Sequence, residues 1–138
     1  MRSVIFLDTS ALVKRYINEN GSRAVMALMD ADAQWTASAI TLTESEIAFC
    51  KRAERETMLA PLLDALRREW QQFAIVPVDD SCLARAREIG CQFGTRTMDS
   101  IHLAAADRLP RPLTFVTFDR RQAAAAAGMG LLVRPSSL

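Results

Sequence analysis

The chain has 138 residues, half of them hydrophobic and 24% charged, with a formal net charge of +1. That length suits a single domain over residues 1–138, and a near-neutral charge gives no bulk pull towards nucleic acid. No apolar stretch approaches the ~20 residues that span a bilayer. The first apolar segment is too short for a secretory signal and ends at an acid, so a cytoplasmic protein with no membrane attachment is expected.

Strand-like and helix-like segments alternate along the chain. Residues 3–7 read as a buried strand, and Thr9-Ser10 offers the cap of a short helix over 11–18. Asn20-Gly21 breaks it, and Ser22 caps a second helix to about Ala31. Residues 34–37 are a short strand candidate; Thr41 or Thr43 then caps a helix carrying Glu44, Ile47, Ala48 and Lys51. Charges cluster in a turn at 53–57. Met58, Leu59, Leu62, Leu63, Leu66, Trp70 and Phe73 recur at three- and four-residue spacing, which predicts an amphipathic helix with Pro61 in its first turn. Residues 74–78 read as a strand, and Asp80 or Ser81 caps a helix that ends near Phe93 at Gly94. Residues 99–108 are helical, 113–117 a strand, 120–127 a helix stopped by Gly128, and 131–134 a last strand. Strands separated by helices imply right-handed crossovers and a parallel sheet covered on both faces. The expected fold class is α/β, a three-layer α/β/α domain with a central parallel sheet of about five strands.

Cys50, Cys82 and Cys91 form no CxxC pair and have only His102 as a companion, which favours reduced thiols over zinc. Of the 17 Lys plus Arg, only Lys14 and Lys51 are lysine. Arginine's planar fork suits phosphate, although a compositional bias explains the same excess.

Acids occupy the places where this pattern turns from strand to helix. Asp8 follows the apolar run 3–7, Asp119 follows 113–118, Glu44 comes just after the stretch around Trp35 and Ile40, and Asp99 opens the small-residue helix 99–106. In an open parallel sheet, ligands bind beyond the carboxyl ends of the strands. Each Asp alone reads equally well as a helix N-cap, and a helix start also aims a carboxylate into a cleft. Four acids converging there repel one another unless a cation lies between them, and a hard divalent ion with oxygen ligands is the natural candidate. Thr9, Ser10 and Thr117 add hydroxyls able to hold a carboxylate or a water.

Four stretches bring these acids together as a family pattern. Residues 6–14, Phe6-Leu7-Asp8-Thr9-Ser10-Ala11-Leu12-Val13-Lys14, resemble the opening of PIN-domain nucleases, particularly VapC-type toxins of bacterial toxin–antitoxin pairs. Ile40-Thr41-Leu42-Thr43-Glu44, Met98-Asp99-Ser100-Ile101-His102-Leu103-Ala104 and Val116-Thr117-Phe118-Asp119 are similar to the second, third and fourth acidic motifs, in family order. The resemblance implies a metal-dependent ribonuclease with Asp8, Glu44, Asp99 and Asp119 around one or two Mg²⁺ or Mn²⁺ ions. Asp8 and Asp99 are then the metal ligands, joined by Glu44 and Asp119 or with Asp119 orienting the attacking water. Thr9 or Ser10, and Thr117, fall where the family keeps supporting hydroxyls. Glu46 competes with Glu44, but a two-residue step turns it to a different helix face; Glu44 precedes the apolar Ile47–Ala48 register and is preferred. His102 matches a packed position and is assigned to structure.

Lys14, Arg15, Arg96, Arg120 and Arg121 are candidates for contact with RNA phosphates, with a solvated surface as the plain alternative for each. The resemblance also implies a homodimer and a cognate antitoxin gripping the helical face around the third and fourth helices. Two readings compete: a catalytically inactive interaction module on the same fold, and an unrelated Asp-dependent phosphatase. Haloacid-dehalogenase-like phosphatases want an acid two residues after the first, where this chain has Ser10, and no P-loop is present.

Overall fold

Five parallel strands form one sheet in the order β3-β2-β1-β4-β5, in a computed structural model that describes residues 3–31 and 33–136. In chain order the elements are β1 (Ser3–Leu7), α1 (Thr9–Tyr16), α2 (Ser22–Asp30), β2 (Ala33–Ser38), α3 (Ile40–Arg52), α4 (Glu56–Trp70), β3 (Ala74–Val76), α5 (Asp80–Phe93), α6 (Thr97–Asp107), β4 (Thr114–Val116), α7 (Arg120–Gly128) and β5 (Leu132–Arg134). The expected three-layer parallel architecture is what the chain adopts.

Strand alternation builds the layers. Ile5 and Leu7 point to one face, where Leu12, Val25, Phe49, Leu66 and Trp70 from α1 to α4 cover them. Phe6 points to the other, stacking on Phe115 with ring centroids 5.3 Å apart beneath Ile89, Leu103 and Ala126. β1 pairs with β2 on one side and β4 on the other, through Ile5↔Trp35 and Ile5↔Thr114. The strand order therefore reverses direction between β1 and β4. The crevice above that reversal is where a doubly wound sheet binds its ligands.

Most local corrections concern how elements start, although α1 also ends early, at Tyr16, and β3 at Val76. Asp8 itself caps α1, its side chain accepting from the Ala11 N–H, so Thr9 and Ser10 already lie inside the helix. Asp79, rather than Asp80 or Ser81, caps α5. Gly21 and Ala39 precede α2 and α3 without any side-chain cap, which leaves Ser22 and Thr41 within those helices. Pro61 lies beyond the first turn, because α4 begins at Glu56. α4 is a long amphipathic helix packed on the core, and tertiary burial carries one missing backbone bond there.

Candidate active site

Two small hydrogen-bonded groups stand at the β1–β4 switch. The first is centred on Asp8, whose carboxylate is 1% exposed. Its Oδ1 accepts from Ser10 Oγ at 2.7 Å and the Ala11 amide at 2.9 Å, and its Oδ2 accepts from Thr117 Oγ1 at 2.5 Å. Both hydroxyls are fixed in turn, because Ser10 Oγ accepts from the Phe118 amide and Thr117 Oγ1 from the Asp119 amide. The turn after β4 is thus stitched to the turn after β1, which fixes where Asp119 sits. Asp119 caps α7 through the Gln122 amide at 2.8 Å. Burial pushes the Asp8 carboxyl above its usual range, against the opposing pull of His102, Thr117, Ser10 and the Ala11 amide.

The second group is centred on Glu44. Its Oε1 accepts from Thr9 Oγ1 at 2.6 Å and lies 2.6 Å from His102 Nε2. Burial pushes Glu44 up, but the bonds from His102 and Thr9 and the His102 charge outweigh it, leaving the carboxyl below its ordinary value. Glu46 faces elsewhere, held in a two-bond fork by Arg67 of α4. Glu46 is thus engaged by an arginine twenty-one residues downstream, while Glu44 meets Thr9 and His102.

Asp99 lies in the first turn of α6. Burial first, and then the negative charges of Asp119 and Glu44, hold its carboxyl above the ordinary range; His102 and Arg96 oppose them. No hydrogen bond or ion pair engages its carboxylate among the described residues. A half-buried, unpartnered carboxylate flanked by two others is what a hard cation relieves. As posed, no three His, Cys, Asp or Glu side chains among the described residues stand close enough together to hold an ion. Glu44 Oε1 and both Asp8 oxygens are instead engaged by hydroxyls, an amide and the imidazole. The donor set fits Mg²⁺ or Mn²⁺ in its chemistry, since every acid of the site offers hard carboxylate oxygens.

The basic candidates separate sharply. Arg15 forks onto Glu69 at 2.8 and 2.9 Å, adds Asp30 and lies over the Trp35 ring; it ties α1 to α4 and is withdrawn from the acids. Lys14 is held by Glu19 and the Asn20 carbonyl and lies 4.8 Å from the centre of the Phe118 ring. Arg96, Arg120 and Arg121 are exposed at the starts of α6 and α7, beside Asp99 and Asp119. From the sequence, His102 is assigned to structure. It is packed, at 2% exposure, yet its Nε2 touches Glu44. Its place three residues after Asp99 on one helix was the available clue, since i and i+3 share a face.

The PIN domain family model matches residues 5–128. Ribonuclease VapC47 of Mycobacterium tuberculosis (strain CDC 1551 / Oshkosh) is 33% identical over 125 residues, covering 86% of each chain. Ribonuclease VapC46 of Mycobacterium tuberculosis (strain ATCC 25618 / H37Rv) is 31% identical, covering 95% of this chain and 96% of its own. Among solved structures, a toxin–antitoxin complex from Klebsiella pneumoniae superposes with a TM-score of 0.68 at 19% identity, over 93% of this chain and 95% of that one. At that identity the likeness speaks for the fold alone.

Proposed function

We infer, from the premise that this chain belongs to the PIN-domain family and stands among its VapC ribonucleases, that it is an endoribonuclease hydrolysing RNA phosphodiester bonds, and the toxin of a toxin–antitoxin pair. One observation carries the site assignment: Asp99 is half-buried and unpartnered, within electrostatic reach of Asp119 and Glu44, at the sheet's switch point.

Each residue has work that its contacts define. Asp99 and Asp8 would hold Mg²⁺ or Mn²⁺, the first with free oxygens, the second with lone pairs left over from its three donors. A bound divalent ion supplies Lewis acidity to the phosphate and to the attacking water. Asp119, fixed by the Gln122 amide through Oδ1, keeps its other oxygen for orienting that water. Ser10 and Thr117 lock Asp8 in one rotamer, so its charge is placed before substrate arrives. Thr9 does the same for Glu44.

The partners follow from the surface. Ile47 of α3 and Met58 of α4 are exposed large hydrophobic residues on the helical layer where an antitoxin is expected to dock. Leu83 and Met98 expose apolar surface on α5 and α6, which suits a homodimer contact. Among the described residues, no helix is long and apolar enough to cross a membrane.

Sequencing RNA ends after brief induction tests the reading. Wild type should generate new internal ends that Asp8→Asn does not, with Mn²⁺ binding by calorimetry lost in parallel. An Asp8→Asn protein that still cleaves, purified free of wild type, would falsify the site.

A further inference from the structure

We propose that His102 is a positioning residue for Glu44. Its Nε2–H and the Thr9 hydroxyl clamp one carboxylate oxygen, Oε1, and leave Oε2 as the oxygen offered to the site. The kinetic part of this inference rests on the ribonuclease reading; its spectroscopic part does not.

The geometry is specific. His102 Nε2 and Thr9 Oγ1 each lie 2.6 Å from the same Oε1, and 3.4 Å from one another. The three residues come from three helices, α6, α1 and α3, so the clamp joins the helix that Asp8 caps to the one that carries Asp99. Glutamate has three rotatable bonds, and an acid on a long side chain acts reliably only when neighbours fix its rotamer. Two donors on one oxygen do that. Two donors within 2.6 Å of one oxygen match the short, strong bonds that a carboxylate accepts.

The far side of the ring argues that polarity is retained for this contact. His102 lies in the run 100–106, every residue of which is buried, and its Nδ1 is buried with no hydrogen-bond partner among the described residues. A purely packed position would be better served by an aliphatic side chain, since an unsatisfied buried polar atom loses its hydration without a replacement bond. With no acceptor near Nδ1, the proton belongs on Nε2, the nitrogen that faces Glu44. At 2% exposure the ring does not reach substrate. It acts through Glu44.

The chain has a single histidine, so ¹⁵N-histidine labelling reports on one ring. In metal-free protein the expected spectrum is that of the Nε2–H tautomer, with a slowly exchanging proton whose resonance moves on Glu44→Gln. A proton on Nδ1, or an Nε2–H resonance indifferent to Glu44→Gln, overturns the clamp.

Kinetics supply the second arm. Glutamine can present an N–H near the position of Nε2, whereas asparagine reaches only that of Nδ1. His102→Leu and His102→Asn should lower kcat roughly ten- to a hundred-fold with KM for RNA little changed, as loss of an orienting partner does. His102→Gln should keep most of the wild-type rate, and Glu44→Gln with His102→Leu should be no slower than Glu44→Gln alone. Equal losses for Gln and Leu in proteins with matching melting curves, or losses that multiply in the double variant, overturn the proposal. If wild type cleaves no RNA in Mn²⁺, the ribonuclease reading has failed, and the spectrum decides the clamp alone.

Discussion

Asp99 carries the tension of the site. Its carboxyl is held above the ordinary range by burial and by two neighbouring carboxylates, so the folded protein binds this proton more tightly than the unfolded chain does. Stability from that preference is complete below the ordinary carboxylate value and is lost as pH rises through the raised one. Metal-free Asp99→Asn should accordingly melt a few degrees higher than wild type at pH 7, with the gap closing below about pH 4. Divalent ions should raise the wild-type melting point and leave the variant nearly unmoved. Melting curves at several pH values check both, and an unchanged midpoint at pH 7 would mean that Asp99 is already relieved by another group. The residue types of this site were legible because acids, hydroxyls and apolar runs are local facts. Their pairings were less so. That Arg67 pairs with Glu46, and that the packed His102 also meets Glu44, depends on helices far apart in the chain.

Elements were readable wherever burial enforces a period. β1 and the α4 apolar stripe lie close to where their patterns put them, because one face of each meets the core. β3, β4 and β5 each came out three residues long, shorter than their apolar runs, at the edge and inside the sheet alike. Caps were displaced because several adjacent residues are good cap formers, and three-dimensional geometry picks among them. Glycine gives a sharper test of what an element start needs. Gly21 before α2 and Gly94 after α5 both have positive φ, 93° and 72°. A Cβ at Gly94 meets open space, whereas one at Gly21 falls 2.6 Å from the Phe118 ring. Gly94→Ala should cost about 1–2 kcal/mol, the left-handed backbone penalty alone. Gly21→Ala should cost more, and should also slow RNA cleavage, because Phe118 lies between Thr117 and Asp119 in the site's second turn. Urea unfolding and a cleavage assay on both variants separate the effects; equal costs would show that the ring yields freely.

For the molecule as a whole, the net charge of +1 means that any grip on RNA must come from local placement. Composition could not say which arginines do this, because paired and free guanidinium groups look alike in a sequence. The fold separates them. Arg15 is 12% exposed in its side chain and spent on Glu69 and Asp30. Arg120 and Arg121 are exposed in the first turn of α7, where the helix N-terminus adds positive potential beside Asp119. If this pair tracked the RNA backbone it would hold phosphates by displacing counterions, and its contribution would appear in the salt dependence of binding. Removing both charges should flatten the slope of log K against log salt by about 1.4–1.8, given ~0.7–0.9 per phosphate contact. Arg15→Ala should leave that slope alone and lower the melting point instead, because it unties α1 from α4. The measurement is RNA binding by an Asp8→Asn background across a salt series, so that cleavage does not interfere. An unchanged slope for Arg120→Ala/Arg121→Ala would move the RNA path away from α7, towards Arg96 at the start of α6.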